Sequence, residues 1–585
     1  MEYVRLRGLG VSPGIAIGEV QLTEKVVFTT RKEAISAEQV DSELNRLNGA
    51  IERTHEQLMR IRDNVKDIVG EEHAFIFEAH LLILQDKSLL MSLKEIVQKE
   101  KTRAEWAISR VHVKYQKLFE SIDDEYLMQR KFDVADVLSK MYRNLEPSEP
   151  GKKEDGKEKI LVAHELLPSE AALRLSKGNV LAVALDMGGQ TSHTAILARS
   201  LNIPTVMGLR NVSQRVKNGD VLIVDGTDGE VLINPPFAIQ KEFASKKKRY
   251  DDYRKDLKKI AKLSSKTLDK FEFLPLANIE LPEEVPLAFS MGAEGIGLFR
   301  SEFLYLQSTT PPTEEAHYQI YSKIAKDAYP FPVYIRTIDM GGEKNLPQLK
   351  IEKEPNPALG LRAIRLSLRD REFFKVQLKA ILRASARGNV RVLIPMITEL
   401  EEIEEVKMLF REIQQEMREK NIPFDENIPL GVMIEVPAAA ALTDILVKEV
   451  DYISIGTNDL IQYYLAVDRS NELVSYLFKP LHPSVLRLLK FIIETAQSEN
   501  KEVTVCGEMA AETLSAIVLI GLGLRKFSMN PIFIPRIKNV LRSVEQKTAK
   551  KVVEEVLMLK TAQEIEECII ERILLKHPKA FLMEL

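Results

Sequence analysis

The chain has 585 residues, of which 45% are hydrophobic and 29% are charged, a composition typical of a globular protein with several domains. Its formal net charge is −4, which favours neither nucleic acid nor an anionic membrane surface as a partner. The longest apolar run is about half the length of a membrane span, so no membrane insertion is expected. The two cysteines, Cys506 and Cys568, exclude a disulfide framework and indicate a reducing compartment, the cytoplasm.

Residues 1–20 are broken by Gly8, Gly10, Pro13 and Gly14. We interpret this stretch as a turn-rich loop, because a secretory signal would need an uninterrupted apolar core. Within it, residues 15–20 are strand-like and are expected to join a later α/β domain.

Residues 36 to about 144 carry a helical pattern almost throughout. Ser36 and Gln39 form a capping-box signature, and apolar residues then recur at spacings of three, four and seven. No glycine or proline interrupts the chain between Glu71 and Leu145. The pattern predicts a bundle of antiparallel long helices inserted into the α/β domain.

The chain after this bundle alternates short strands and helices. Residues 146–159 are a polar loop with prolines and glycines. The strand candidates that follow are residues 160–163, 180–185, 205–207, 221–224 and 230–233, and they predict a compact α/β domain. Residues 237–266 then predict a charged helical linker, whose run Lys246-Lys247-Lys248-Arg249 is interpreted as a solvated helix face.

The remainder of the chain has the size of a (β/α)₈ TIM barrel. Its eight short apolar strand candidates are residues 276–279, 295–299, 333–337, 392–396, 431–435, 452–456, 503–506 and 527–529. The predicted fold class is therefore multidomain α/β, with an N-terminal α/β domain that contains an inserted helical bundle, followed by a C-terminal TIM barrel.

His193 lies between a predicted strand and an amphipathic helical run, in the stretch Gly-Gly-Gln-Thr-Ser-His at residues 188–193. A strand, a glycine turn and a helix start direct free backbone N–H groups to one spot, which attracts a phosphate. A neutral imidazole placed there is a competent nucleophile. The alternative interpretation of this short motif is a capping histidine in an ordinary βα turn.

Polar residues follow several of the barrel strand candidates and would collect on one rim. They are Arg300, Arg336, Arg362, Glu435, Asn458, Asp459, Arg469 and Cys506. Arginines present forked donors to phosphate and carboxylate oxygens, and Glu435 and Asp459 suit Mg²⁺. Cys506 could hand a proton to a carbanion, or it could be an ordinary buried cysteine. A phosphorylated enol acid is a small molecule that would use all of these groups.

Several sequence blocks occur in a specific order along nearly the whole chain. They are VSPGIA at residues 11–16, IFEAH at 76–80, GGQTSHTAILAR at 188–199, GAEGIGLFRSEFL at 292–304, RTIDMGG at 336–342, GVMIEVPAAA at 431–440, SIGTND at 454–459 and CGEM at 506–509. These blocks resemble those of the enzyme I family of the bacterial phosphotransferase system, the phosphoenolpyruvate–protein phosphotransferases.

The resemblance implies a reaction and a set of residue roles. His193 would be phosphorylated on Nε2 by phosphoenolpyruvate, and the phosphoryl group would pass to a histidine of a small carrier protein, HPr, docked on the helical insertion. Cys506 would protonate the enolate to give pyruvate. The implied substrate contacts are Arg300, Arg336, Asn458, Asp459 and Arg469, with Arg199 and Arg362 as further phosphate contacts, and the implied Mg²⁺ ligands are Glu435 and Asp459. Family members act as homodimers joined through the barrel, at the first step of sugar uptake.

The expected domains are a swivelling α/β domain at residues 1–30 and 146–236, a carrier-binding bundle at 31–145, a hinge at 237–266 and the barrel at 267–585. Gln190 and Glu343 stand where the family usually has arginine and aspartate. Pyruvate phosphate dikinase and phosphoenolpyruvate synthase share the phosphohistidine and barrel blocks, but they need an additional nucleotide-binding domain for which this chain has no room. A regulatory phosphoprotein that signals through the charge of phosphorylated His193 is the alternative from another class.

Overall fold

The computed structural model describes residues 3–23, 28–29, 31–69, 71–120, 125–145, 158–176, 178–189, 192–306, 311–341, 354–469, 471, 473–576 and 581. Gln190, Glu343 and residues 146–157 of the predicted loop at 146–159 lie outside these residues, whereas Lys159 lies in a strand rather than in the loop. Contacts divide the chain into two compact units, residues 1–252 and 253–585. Among the helices of the described residues, none has the length and apolar character that crossing a membrane requires.

The first unit contains a mixed eight-stranded sheet. Its strands are β1 (Val4–Arg7), β2 (Leu9–Ser12), β3 (Ile15–Leu22), β4 (Lys159–Ala163), β5 (Val180–Leu185), β6 (Thr205–Met207), β7 (Val221–Asp225) and β8 (Glu230–Ile233). Their order across the sheet is β1-β8-β7-β3-β4-β5-β6-β2. The strands β3, β4, β5 and β6 are parallel, so the carboxyl ends of β4 and β5 share one edge of the sheet.

The interpretation of residues 1–20 as a turn-rich loop is wrong, because three strands occupy most of this stretch. Its glycines serve close packing inside the sheet. A Cβ atom on Gly8 would lie 2.4 Å from the carbonyl oxygen of Met207, and one on Gly10 would lie 2.5 Å from that of Gly226. Glycine can therefore mark a close backbone approach as well as a turn. The expectation that residues 15–20 join the α/β sheet is confirmed by β3.

The helices that begin in the first unit are α1 (Val40–Val69), α2 (Glu71–Leu84), α3 (Lys87–Glu100), α4 (Ala104–Glu120), α5 (Glu125–Arg143), α6 (Pro168–Leu175), α7 (His193–Ser200), α8 (Val212–Arg215) and α9 (Phe237–Ile260), and α9 continues past residue 252 into the second unit. The first five lie between β3 and β4 in the sequence. The predicted capping-box residues flank a short turn before α1, where the backbone N–H of Ser36 donates to Gln39 Oε1 at 2.9 Å. Buried residues of these helices, such as Leu58 and Leu93, share one apolar core with Leu161 and Val183 of the sheet.

The helix α9 corresponds to the predicted charged linker and ends at Ile260. Phe243 and Tyr250 on it are buried. Lys246 does not lie on a purely solvated face, since its Nζ donates to the buried carboxylate of Asp225 at 2.7 Å. An ion pair with a sheet residue thus replaces the solvation that was expected for this side chain.

The second unit contains a closed barrel of parallel strands, which confirms the predicted fold class. The strands are β9 (Leu274–Ile279), β10 (Ile296–Arg300), β11 (Val333–Arg336), β12 (Val390–Ile394), β13 (Leu430–Ile434), β14 (Tyr452–Ile455), β15 (Glu502–Val505) and β16 (Lys526–Met529). They follow each other around the barrel in chain order, and β16 pairs with β9. Each predicted strand corresponds to one of them with its ends moved by at most two residues.

The barrel helices and the interior layer complete this unit. The helices are α10 (Glu284–Ser290), α11 (Phe303–Leu306), α12 (Glu314–Ala328), α13 (Ile364–Arg369), α14 (Arg371–Ala384), α15 (Leu400–Glu419), α16 (Pro437–Ala441), α17 (Thr443–Glu449), α18 (Thr457–Leu465), α19 (Pro483–Ser498), α20 (Thr513–Gly521), α21 (Ile534–Arg542), α22 (Gln546–Val556) and α23 (Ala562–Arg572). Near the amino-terminal ends of the strands, Tyr334 and Tyr452 meet edge to face at 5.0 Å, and Lys526 Nζ donates to the Tyr334 hydroxyl at 3.1 Å. These side chains fill the barrel at the amino-terminal ends of its strands. An active site is therefore expected at the opposite, carboxyl-terminal ends.

Candidate active site

His193 is the first residue of α7, directly after the loop that follows β5. Ser192 caps this helix, because its hydroxyl accepts from Ala195 N–H at 3.3 Å and donates to the carbonyl of Gly189 at 3.0 Å. Gly188 has φ +119°, a conformation that disfavours other residues. The predicted strand, glycine turn and helix start are thus confirmed. Residues 190 and 191 and the side chain of His193 lie outside the described part of the chain.

Arg199 occupies the last turn of the same helix. It lies six residues beyond His193, which is about 9 Å along a helix axis. Burial lowers the pKa of Arg199. A phosphate contact from this position would require the arginine side chain to extend back toward the helix start.

The eight barrel residues predicted from the sequence line one cavity of about 260 Å³ at the carboxyl ends of the strands. They are Arg300, Arg336, Arg362, Glu435, Asn458, Asp459, Arg469 and Cys506. Arg300 and Arg336 are the last residues of β10 and β11, whereas Glu435 and Cys506 directly follow β13 and β15. The parallel strands bring these distant residues together because all of their carboxyl ends face the same rim.

Arg336 is almost fully buried and is held by two carboxylates. Its Nη2 donates to Glu302 at 2.7 Å, and its Nη1 lies 3.1 Å from Asp339. Burial alone would lower the pKa of Arg336, but the adjacent Glu302 and Asp339 raise it well above its ordinary value. The buried Nε–H of Arg336 has no hydrogen-bond partner among the described residues, which leaves a donor for a ligand.

Arg362 joins Asp339 to the other side of the cavity. Its Nη2 lies 2.8 Å from Asp339 and 3.3 Å from Asp459, and its Nη1 donates to the Tyr463 hydroxyl at 3.0 Å. Burial opposes the charge, yet Asp339 and Asp459 raise the pKa of Arg362 above its ordinary value. The guanidinium is therefore a permanent, fixed positive charge in the cavity wall.

Glu435 is 1% exposed and lies among like charges. Its Oε1 accepts from Met396 N–H at 2.7 Å. Burial raises the pKa of Glu435 well above its ordinary value, and the nearby Asp459 and Asp339 raise it further. A divalent cation would relieve this repulsion, so the donor set fits a metal ion. Within the described residues, no group of three Cys, His, Asp or Glu side chains is arranged to hold a metal by itself.

Cys506 is 4% exposed and belongs to the apolar cluster inside the barrel. The Ser454 hydroxyl lies 3.3 Å from its Sγ and donates to it. Burial raises the pKa of Cys506 to about 11. The group is therefore a thiol at neutral pH and carries a proton that can be transferred.

The outer rim of the cavity is more exposed and its charges are paired. Arg300 Nη1 donates to Glu280 at 2.8 Å. Glu508 accepts from Arg469 at 3.2 Å and from the Asn458 side chain at 3.1 Å. The rim arginines are about two-fifths exposed, so the ion pairs are weak and open to exchange with an anionic ligand.

Sequence reasoning did not assign a role to several residues of this cluster. Glu302 holds Arg336, Asp339 joins the two buried arginines, and Glu508 and Tyr463 hold neighbouring groups. Glu302 and Asp339 each lie two or three residues from a predicted arginine, inside the blocks already singled out. Their sequence positions were visible, but which cation each of them pairs with depends on the closed barrel.

Sequence models of three domain families match the chain. The family described as PEP-utilising enzyme, PEP-binding domain, matches residues 254–546; the N-terminal family matches residues 7–130 and the mobile-domain family residues 156–229. An NMR solution structure described as Enzyme I is 38% identical, covers 42% of this chain and 99% of its own, and has a TM-score of 0.36.

Curated relatives match almost the full length. The phosphoenolpyruvate-protein phosphotransferase of Haemophilus influenzae is 41% identical over 98% of this chain and 99% of its own. Those of Geobacillus stearothermophilus and Bacillus subtilis are 39% and 38% identical over 96% of this chain, and over 96% and 98% of their own lengths. This agreement confirms the resemblance seen in the sequence blocks, and the chain belongs to the phosphoenolpyruvate-protein phosphotransferase family.

Proposed function

We propose that this protein transfers the phosphoryl group of phosphoenolpyruvate to His193, releases pyruvate, and passes the group on to a histidine of an HPr-type carrier. The observation that carries the proposal is the cavity at the barrel rim, where arginines, paired acidic groups and a buried thiol converge. The full-length relatives bear the name of the same activity. This reaction would be the first step of the sugar phosphotransferase system.

The arginines bind the anionic substrate in this proposal. Arg336 and Arg362 supply fixed charges in the cavity wall, while Arg300 and Arg469 exchange their rim carboxylates for phosphate or carboxylate oxygens. Asn458 and Asp459 complete the set of substrate contacts. Forked guanidinium donors match both anionic ends of phosphoenolpyruvate. Holding these ends fixes the phosphorus atom for in-line attack.

Glu435 and Asp459 would hold Mg²⁺, which supplies positive charge beside the phosphate oxygens. The support for this assignment is the position of the buried Glu435 beside Asp459 and Asp339; burial first, and then these two carboxylates, raise its pKa. The N–H of Met396 fixes Glu435 by donating to its carboxylate.

The transfer step breaks the bond between phosphorus and the enol oxygen and forms a bond between phosphorus and His193 Nε2. The electrons of the broken bond stay on the departing enolate oxygen. The Cys506 thiol then gives its proton to the methylene carbon, which produces pyruvate and leaves a thiolate that is reprotonated from water. The position of Cys506 in the cavity wall and its raised pKa support this role.

His193 and the barrel cavity belong to different units of the chain, and the proposal includes a movement of the α/β domain at residues 1–30 and 146–236 between the barrel at 267–585 and the carrier. We place the hinge in the linker at 237–266. Phe243, Lys246 and Tyr250 attach its first part to their own unit. Lys538 of the barrel donates to the carbonyl of Ala261 at 3.1 Å and holds its far end.

The proposal includes two protein partners and a place in the cell. The carrier would dock on the bundle at residues 31–145, where Leu82 and Met91 expose 69% and 61% of their surface. A second copy of the chain would bind the barrel, where Leu473 and Tyr476 are exposed. The free Cys506 thiol that the reaction needs is consistent with the cytoplasm.

Incubation with radiolabelled phosphoenolpyruvate and Mg²⁺, followed by peptide mapping, tests the proposal. The label is expected on the peptide that contains His193, it should be acid-labile, and purified carrier should remove it rapidly. His193→Ala should abolish labelling. Label retained by this variant would contradict the assignment, and label that carrier does not remove would favour a purely regulatory phosphoprotein.

A further inference from the structure

Gln377 is a buried amide on α14, outside the barrel strands. It is 1% exposed, and all of its hydrogen-bonding groups are used. Its Oε1 accepts from Ile338 N–H at 3.0 Å, and its Nε2 donates to the hydroxyls of Ser301 and Tyr321, each at 3.0 Å. A fully satisfied buried amide fixes the distance between its partners.

Two of the partners of Gln377 lie in two neighbouring loops that carry charged residues of the cavity. Ser301 is between Arg300 and Glu302, directly after β10. Ile338 precedes Asp339 in the loop after β11. Arg300 and Arg336 are register partners on these adjacent strands. One side chain therefore links the backbone of one loop to the hydroxyl of the other.

The third partner of Gln377 anchors it from behind. Tyr321 on α12 is fully buried, and its hydroxyl lies 2.9 Å from Nδ1 of His317, also fully buried. Burial raises the pKa of Tyr321 and lowers the pKa of His317 to about 4. Both groups are consequently neutral at physiological pH, and the anchor carries no charge into the site.

We propose that Gln377 is a positioning residue for phosphoenolpyruvate binding, acting by setting the separation of the Arg300–Glu302 loop from the Arg336–Asp339 loop. This inference rests on the proposed function of the cavity arginines. Gln377 is absent from the described residues that line the cavity, so it acts through others. Among the cavity residues, Arg336 depends most on the distance between the two loops. Glu302 from one loop and Asp339 from the other both bind its guanidinium group.

Gln377→Met keeps the length of the side chain and removes its hydrogen bonds. We expect the KM for phosphoenolpyruvate to rise about tenfold or more, with a smaller change in kcat. The reason is that cavity arginines displaced from their positions bind the substrate less tightly. Asn389→Leu is the matched control. Asn389 is also a buried amide, and it donates to the carbonyls of Ala325 and Phe331, just before β12 at the amino-terminal end of the strands. This control should lower the thermal midpoint and leave KM unchanged.

A double-mutant cycle with Arg336→Lys tests whether Gln377 acts through Arg336. Arg336→Lys keeps the charge and loses the guanidinium fork, and it should raise KM by itself. The fold increase in KM of the double variant should be smaller than the product of the fold increases of the two single variants. Ser301→Ala removes only one of the hydrogen bonds of Gln377 and should raise KM to a lesser extent. This variant replaces Gln377→Met in the test if Gln377→Met does not fold.

The outcomes separate the two proposals. An unchanged KM in Gln377→Met and Ser301→Ala, together with a raised KM in Arg336→Lys, would overturn the positioning role alone. Equal increases in Gln377→Met and Asn389→Leu would also overturn it, since they would indicate general loss of stability. An unchanged KM in Arg336→Lys would overturn the cavity assignment as well.

Discussion

Arg336 and Arg362 are buried cations whose charges are balanced by carboxylates before any substrate binds. Removing either partner of such a pair leaves an uncompensated buried charge, which is costly. The cavity has one further buried carboxylate, Glu435, which contacts neither arginine in an ion pair among the described residues. Burial raises the pKa of Glu435, the nearby Asp459 and Asp339 raise it further, and Arg336 and Arg362 oppose this shift.

Replacement of Glu435 by glutamine should raise the stability of the metal-free protein and abolish its stabilisation by Mg²⁺. Glu435→Gln keeps an acceptor for Met396 N–H and removes the buried negative charge, so the metal-free protein should gain about 1 to 3 kcal/mol in free energy of unfolding. Mg²⁺ should stabilise the natural protein against heat and not the variant. Asp444→Asn, a change outside the cavity on α17, is the control. Equal stabilisation of natural protein and Glu435→Gln by Mg²⁺ would contradict the metal assignment.

Cys506→Ala should slow turnover by about 100-fold or more, because it removes the proton donor, and should leave the affinity for phosphoenolpyruvate largely intact. The donor is the protonated thiol, and burial raises its pKa to about 11. Loss of the donor through deprotonation is therefore expected only as the pH rises through about 11, rather than through the ordinary thiol value of about 9. Steady-state kinetics and calorimetric titration measure the two effects. Unchanged kcat would indicate a buried cysteine without a catalytic role.

At the scale of elements, α5 of the bundle is joined to the start of α6 by Asp136. Its carboxylate accepts from the backbone N–H of Ser169 at 2.8 Å and from the Ser169 hydroxyl at 2.7 Å. The loop before α6 in turn contacts α7, because the Thr194 hydroxyl donates to the carbonyl of Leu166 at 3.0 Å. The helix that begins with His193 is thus supported from the inserted bundle.

Asp136→Ala should lower the free energy of unfolding by about 2 kcal/mol, because it leaves a helix-start N–H and a hydroxyl without their charged acceptor. Urea unfolding followed by circular dichroism measures this loss. Asp136→Asn retains one acceptor and should lose less, whereas Asp63→Asn on the exposed side of α1 should have no effect. An unchanged midpoint in Asp136→Ala would show that the contact does not support α6.

At the scale of the whole molecule, the proposed homodimer should depend on the apolar surface that includes Leu473 and Tyr476, which are 84% and 70% exposed. The combined change Leu473→Asp and Tyr476→Asp should shift the chain toward monomer in sedimentation equilibrium, because charges oppose burial of this surface. Met558, 80% exposed elsewhere on the barrel unit, provides the control Met558→Asp. If both changes dissociated the dimer equally, or if neither change dissociated it, the result would contradict this interface.

Most secondary-structure elements of the protein and their order can be predicted from the amino-acid sequence. Alternating and helical periodicities are local properties, and they located all eight barrel strands and the strand, turn and helix around His193. Residues 1–20 are the exception, since Gly8 and Gly10 look like turn residues until the sheet places other backbone against them.

The pairing of the charged side chains, in contrast, follows from the folded chain. Arg336 with Glu302, Arg362 with Asp339 and Asp459, and Gln377 with two separate loops are contacts between residues far apart in the chain. The closure of the barrel selects these partners by bringing strand ends into register. No spacing in the sequence records that register, because it follows from the packing of the complete ring of strands.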